Sequence, residues 1–222
     1  MKPQRSSGIL LHPTSLPGNF GLGDFGDEAR AFVDFLTACG QTLWQVLPLG
    51  ATGFGDSPYQ SLSAFAGNTL LIDPRQFVSD GLLNPEDLTA PEFPRDRVGF
   101  EDVRPFKEQL LAQAYENYKR DSSSALRVEL REFCNQSAWW LDEYALYRAL
   151  KAANDGRAWS DWDGELADRQ PAAMENARAQ LQDQIAAQKF FQFYFFRQWQ
   201  ALRLLSRARS QDCRRPVDLC GT

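Results

Sequence analysis

The chain has 222 residues, 43% of them apolar and 13% aromatic, with a formal net charge of −5 and a single histidine. That is enough chain for one large domain or two small ones, and enough apolar material for a substantial core. The charge gives no general attraction to phosphate backbones or anionic lipid, no apolar run reaches the roughly 18 residues of a membrane span, and one histidine gives little basis for a His-based metal site; neutral partners, such as sugars, fit that balance as well as anything.

The first residues carry positive charge, but the apolar core around Gly8–Leu11 is too short for a signal peptide, and a cytoplasmic chain is expected. Gly8–Leu11 reads as a short buried strand, closed by the turn cluster Pro13–Gly18. Asp24–Cys39 reads as an amphipathic helix. Ala29, Phe32, Val33, Leu36 and Cys39 recur at spacings of three and four, and Gly40 stops it. Thr42–Leu49 (TLWQVLPL) then reads as a second strand, apolar on both faces. Strand, helix, strand in this order is a βαβ unit, and such units imply a parallel sheet covered by helices.

The alternation then stops. Gly50–Pro74 is a long Gly/Ser-rich loop that carries Phe54, Tyr59 and Phe65. A loop of this length inside a compact domain is usually functional or disordered, and its regular aromatics argue against disorder. Asp73–Asn84 looks like a turn and a short helix, and 86–104 reads as a Pro- and charge-rich connector. After Pro105 the pattern is helical to about residue 208. One face holds Leu110, Leu111, Ala114, Tyr115 and Tyr118; another holds Trp140, Leu141, Tyr144, Tyr147 and Leu150. Ala158–Gly164 is a turn. Phe190–Phe196 (FFQFYFF) is apolar around its whole circumference and must be buried on several sides. The four cysteines, at 39, 134, 213 and 220, match no zinc or redox spacing, and Cys39 reads as a buried free thiol. Two parallel strands do not make a stable sheet alone, so the N-terminal third reads as the beginning of something larger.

RSSGILLHPTSLPG (Arg5–Gly18), GLGDFGDEA (Gly21–Ala29), WQVLPLG (Trp44–Gly50) and GDSPYQSLSAFAGN (Gly55–Asn68) occur in this order and together resemble the N-terminus of the 4-α-glucanotransferases, the amylomaltase or disproportionating-enzyme family. The likeness covers residues 5 to about 85, and FFRQWQALR (Phe195–Arg203) resembles the family as well. It implies an α/β fold: the N-terminal portion of a (β/α)8 barrel of the α-amylase type, with a large helical insertion after strand 2. On that basis residues 1–85 are the first βαβ unit and its rim loop, 86–190 the insertion, and 191–209 a barrel helix. The implied activity is transfer of α-1,4-glucan segments between maltooligosaccharides by a retaining mechanism, without a cofactor. Such a mechanism needs a carboxylate nucleophile and a carboxylic acid/base about 5 Å apart. The resemblance places these after the fourth and fifth strands, with a third carboxylate after the seventh. A chain reaching only about the third strand is therefore expected to be a fragment without turnover. A non-catalytic glucan-binding protein and an inert product are the alternatives.

The tail also admits a second reading frame. One base later, the codons permitted for Arg209–Thr222 allow G-L-K-I-V-G-D-L-x-I-Y-V-A, with one mismatch at Val217–Asp218. The resemblance expects a strand of that kind here. Residues 210–222 are thus expected to be out of frame and without evolved structure.

The candidate site residues all lie beside the first two strands. Tyr59 sits in the loop after a strand, at the rim where such barrels place their sites. Its ring suits stacking on a glucose face and its hydroxyl a sugar oxygen; the competing reading is a loop aromatic packed as a plug. The resemblance implies glucan contact for it. Ser57 and Gln60 flank it as hydrogen-bonding groups. Phe54 keeps a stacking face but lacks the hydroxyl that some relatives carry there at a secondary glucan site. His12, in LHPTS, is either a ligand contact or, more simply, a structural hydrogen bond in the turn. Asp24 and Asp27 read as helix N-terminal charges, Asp56 as shaping the loop through an Asx-turn, Asp73 as capping the turn that follows it, and Asp161 and Asp163 as a solvated loop. Trp139 and Trp140 read as core before sugar platform.

Overall fold

The structure is a computed structural model and describes residues 6–212 and 218–221. It contains a three-stranded parallel sheet of order β1-β2-β3, with β1 at Gly8–Leu10, β2 at Leu43–Val46 and β3 at Asp218–Gly221. The β1–β2 register pairs Gly8 with Leu43, Ile9 with Trp44 and Leu10 with Gln45; β2 pairs with β3 from Leu43↔Asp218 to Val46↔Gly221. The expectation of a βαβ unit therefore holds at the level of an α/β chain with parallel strands. Its strands are shorter than the apolar runs suggested. β1 is exposed or half-buried along its length, where a buried strand was expected, because it is an edge of the sheet. In β2 only Trp44 and Val46 are buried, and Gln45 faces outward.

Helix α1 runs Asp27–Ala38 after an N-cap at Gly26. Ala29, Val33 and Leu36 are wholly buried, and Phe32 meets Trp44 edge-on at 4.9 Å between ring centroids. Its stripe covers β2. Cys39, expected on the buried face, is exposed, because it is the C-cap of α1 and the chain turns away at Gly40, which has φ 67°.

The chain forms two compact units, Met1–Ser122 with Tyr194–Thr222, and Ser123–Phe193. In the first, α2 (Arg75–Ser79) follows the rim loop, and α3 runs Phe100–Asp121 with Pro105 inside it. The sequence placed the helix start after that proline. The helix begins earlier because the proline costs only one bond near its start, while Val103 and Lys107 are held in the core. The insertion was expected to begin at residue 86, but α3 packs with the first unit: Val103 joins Leu22 and Leu70 in one apolar cluster.

The last helix, α7, spans Gln182–Asp212, and its residues from Tyr194 onward belong to the first unit. There Phe25 packs against Phe195 at 5.3 Å and Trp199 at 5.4 Å, and Phe77 against Tyr194 at 4.5 Å. Gln198 is buried and reads both backbone groups of Asp73: its Oε1 accepts from the amide at 2.8 Å and its Nε2 donates to the carbonyl at 3.0 Å. Asp80 accepts from the Tyr194 hydroxyl at 2.7 Å and from Arg197 at 2.6 Å.

The second unit comprises α4 (Ser124–Ala153), α5 (Gly164–Ala167), α6 (Pro171–Gln180) and α7 up to Phe193. Leu146, Leu150, Met174 and Ala177 make its core, with Trp162, Leu166, Leu181 and Ile185 packed against it. Asp163 accepts from the Glu165 amide at 3.0 Å, a turn role that agrees with the solvated reading of this segment. Trp139 is exposed, where core packing was expected, and Trp140 is half-buried.

The tail expected to be out of frame, 210–222, lies partly outside the described residues; within those described, the helix continues to Asp212 and Asp218–Gly221 pairs with β2. Parallel pairing uses backbone groups alone, so the free edge of β2 accepts an extended segment whatever its side chains. No helix among the described residues is long and apolar enough to cross a membrane.

Candidate glucan-binding rim

Because β1 and β2 are parallel, the segments that leave their C-terminal ends emerge at one edge of the sheet. The two ends are stitched together. The Leu11 amide donates to the Gln45 carbonyl at 3.0 Å, and Trp44 Nε1 donates to the Leu11 carbonyl at 2.8 Å. His12 completes the join. Its Nδ1 lies 2.7 Å from Thr14 Oγ1 and accepts from the Thr14 amide at 3.4 Å, capping the short turn Pro13–Ser15. Burial holds its imidazole below the usual pKa, opposed by a hydrogen bond to the Pro48 backbone. With Nδ1 accepting from the Thr14 amide, Nε2 is the ring nitrogen left to donate to the Pro48 carbonyl. These bonds favour the structural reading of His12 over ligand contact.

The segment after β2 is folded despite its glycines and serines. Gly50 bridges Gly67 and Thr52 bridges Ser61, both antiparallel. The Ala51 amide donates to Ala66 at 3.2 Å and the Leu62 amide to Ala51 at 2.9 Å. Ser61 Oγ donates to the Ser63 carbonyl at 2.7 Å, Ser63 Oγ accepts from the Phe65 and Ala66 amides, and Asn68 Oδ1 accepts from Leu70 at 3.0 Å. The serines thus supply partners for a backbone that has no regular ladder. The base of the loop is fixed by Gly67: a Cβ there would lie 2.2 Å from the Phe195 ring, so only glycine lets this strand approach α7.

The tip is tighter still. The Gly53 amide donates to the Gln60 carbonyl at 2.7 Å and the Gln60 amide to the Ser57 carbonyl at 3.1 Å. Gly55 and Asp56 are consecutive left-handed residues, with φ 71° and 52°. Asp56 was expected to form an Asx-turn. Its carboxylate instead accepts from Thr52 Oγ1 at 3.5 Å and pairs with Arg104 of α3. Ser57 Oγ accepts from the Tyr59 amide at 3.4 Å. Tyr59 itself is 73% exposed, which disposes of the plug reading and leaves its ring open to a flat ligand. Gln60 is exposed beside it. Phe54 lies in the short turn Phe54–Asp56, and its side chain is outside the described residues.

Under the rim lies a charged cluster of which the sequence revealed only the acids. Lys107, 2% exposed, donates to Asp24 Oδ2 at 3.0 Å and to the Leu70 carbonyl at 2.8 Å. Asp24 was expected to be a helix-terminal charge. It is instead a buried partner of Lys107, and its second oxygen accepts from the Gly26 amide at 3.0 Å. Asp73 caps Arg75 as expected, through the Arg75 amide at 3.0 Å, and also pairs with its side chain. Burial and then the nearby Asp24 charge push the Asp73 carboxyl up, with Arg75 opposing. No group of three or more His, Cys, Asp or Glu suited to a metal ion is found among the described residues.

Parallel strands that send an ordered polar loop with an exposed aromatic to their carboxyl edge define an α/β protein of the kind that carries ligands at that edge. Comparison with known proteins narrows this. The 4-alpha-glucanotransferase family profile matches residues 11–215. The 4-alpha-glucanotransferase of Thermus thermophilus is 45% identical over 203 residues, covering 91% of this chain and 40% of the relative. That of Synechocystis is 42% identical over 210 residues, covering 94% and 42%. Amylomaltase from Streptococcus agalactiae, solved in complex with acarbose, matches with a TM-score of 0.89 at 35% identity, over 98% of this chain and 43% of that one. Amylomaltase from Corynebacterium glutamicum shares the fold, with a TM-score of 0.68 at 16% identity. The chain belongs to the 4-alpha-glucanotransferase family. It spans about two fifths of the length of the relatives it matches.

Proposed function

We propose that this chain holds α-1,4-glucan at the loop after β2, as part of a retaining 4-α-glucanotransferase reaction between maltooligosaccharides that runs in the cytoplasm without a cofactor. One observation carries the reading: Tyr59 stands exposed at the tip of a loop whose two arms are held together by backbone hydrogen bonds. A pyranose ring presents a flat apolar face with polar edges, and an exposed tyrosine supplies the matching plane and a hydroxyl. Gln60 adds a side-chain amide beside it, and Ser57 a hydroxyl already engaged in the turn.

In this proposal the segment holds sugar and does not cleave it. A retaining reaction needs two carboxyl groups about 5 Å apart on either side of the scissile bond. Asp56 is the only carboxylate between Leu47 and Asn68, and it is committed to Arg104. The expected result is saturable binding of maltoheptaose by the purified chain, with no disproportionation of maltotriose. Glucose released above a no-protein control would overturn the division of labour. Absence of any maltooligosaccharide binding would favour the inert reading of this polypeptide.

A further inference from the structure

We propose that Arg104 is a positioning residue: through Asp56 it locks the tip of the rim loop and so sets the affinity for glucan, although it lies on a different element from the loop it controls. The inference rests on the glucan-binding reading of that loop and extends it to α3.

Two observations meet at Asp56. The backbone there is in the left-handed region at φ 52°, immediately after Gly55 at φ 71°. A non-glycine residue persists in that region only where its surroundings hold it, although aspartate tolerates it better than most. The surroundings are visible. Arg104 Nη2 donates to Asp56 Oδ1, and Thr52 Oγ1 donates to the same oxygen at 3.5 Å. Thr52 and Asp56 lie on the outgoing arm of the loop, and Thr52 bridges Ser61 on the returning arm. Tyr59 lies between those arms. Within the turn its amide donates to Ser57, the residue after Asp56. Releasing Asp56 thus frees the segment that aims Tyr59, while the base of the loop stays held by Gly67 against Phe195.

The pair is a clamp and adds little to global stability. Arg104 and Asp56 side chains are 36% and 28% exposed, in the range where an ion pair contributes little to folding. Its effect falls on the loop's conformational population. If release lowers the fraction of chains with a competent loop from near one to about one tenth, apparent affinity falls about tenfold, because Kd scales with the inverse of that fraction. The recorded contact uses a single guanidinium nitrogen, so a lysine can replace it in part.

The test has an arm without ligand and an arm with it, both on the full 222-residue chain. In the first, 15N relaxation is measured on the amides of Gly53, Ser57, Tyr59 and Gln60. R104Q and D56N are expected to mobilise these four amides equally, with R104K close to wild type and the thermal midpoint shifted by no more than a degree or two. In the second, titration with maltoheptaose is expected to show about tenfold weaker binding for R104Q and for D56N, and no further loss in R104Q/D56N. Unchanged relaxation in R104Q, or wild-type affinity in R104Q where the wild-type chain binds, overturns the clamp and leaves the glucan reading standing. A mobilised loop in a chain whose wild type binds no maltoheptaose keeps the mechanical clamp and sinks the glucan reading, and with it the claim that Arg104 sets affinity.

Discussion

Replacing Lys107 by methionine isolates the most consequential contact under the rim. Methionine keeps most of the apolar stem and removes the ammonium. The side chains of Lys107 and Asp24 are 2% and 7% exposed, so neither group finds water when the other is lost. Breaking a buried pair by removing one partner costs about 3–5 kcal/mol. The Leu70 carbonyl also loses its 2.8 Å donor, worth about 1 kcal/mol. The ammonium further lies 5.8 Å from the centre of the Phe20 ring, a smaller favourable contact. A total of about 5 kcal/mol corresponds to roughly several thousandfold in the folded-to-unfolded ratio and, for a chain of this size, to a thermal midpoint about 10–20 °C lower. Urea and thermal unfolding followed by tryptophan fluorescence read it directly. D24N/K107M removes both charges and leaves an oxygen to accept from the Gly26 amide, so it is expected to recover more than half of the loss. A K107M penalty below about 1 kcal/mol, or a double variant as unstable as the sum of the singles, would refute the argument that the pair is buried and coupled.

Three further outcomes follow from the same structure. G67A drives a methyl to 2.2 Å from the Phe195 ring and is expected to cost about 1–3 kcal/mol in unfolding experiments; a neutral G67A would show that the loop base yields freely. His12 is the sole histidine, so its imidazole resonances report one group, and their midpoint is expected below 6.5 because burial disfavours the charged ring. Since the folded chain then binds fewer protons than the unfolded chain in that window, stability rises with pH from the folded midpoint to about 6.5 and flattens above; H12Q removes this dependence, and a midpoint at or above 6.5 contradicts the packing of the join. Asp73 shifts the other way, so between about 3.8 and its raised folded midpoint the folded chain binds the extra proton and stability falls as pH rises. The difference between D73N and wild type, measured across that window, is expected to grow in favour of D73N, and a difference constant with pH would contradict the burial of this carboxyl.

Local periodicity made part of this molecule legible. The three- and four-residue spacing of Ala29, Val33 and Leu36 found the buried face of α1, and the all-round apolarity of Phe190–Phe196 marked a segment buried from several sides. The rim loop was legible through its glycines, serines and aromatics, and Tyr59 through its place after a strand. What the sequence concealed depends on distance along the chain. Lys107 meets Asp24 from 83 residues away, and Arg104 meets Asp56 from 48 residues away, and no spacing rule announces either partner. Asp24 looked like a helix charge because its neighbours set that pattern, while its burial is set by α3. Cys39 kept the helical spacing, but the helix ended one residue before it, and a stripe past the last turn covers nothing. β1 looked buried because it is apolar, and its exposure follows only from its place at the edge of the sheet.

The central claim is that the loop after β2 presents Tyr59 to an α-1,4-glucan, and calorimetric titration of wild-type and Y59A chains with maltoheptaose tests it most directly. An aromatic anchor in a binding site contributes about 2 kcal/mol, so Y59A is expected to bind roughly thirtyfold more weakly, with an unchanged unfolding midpoint because the ring is 73% exposed. Equal affinity in the two chains would contradict the account.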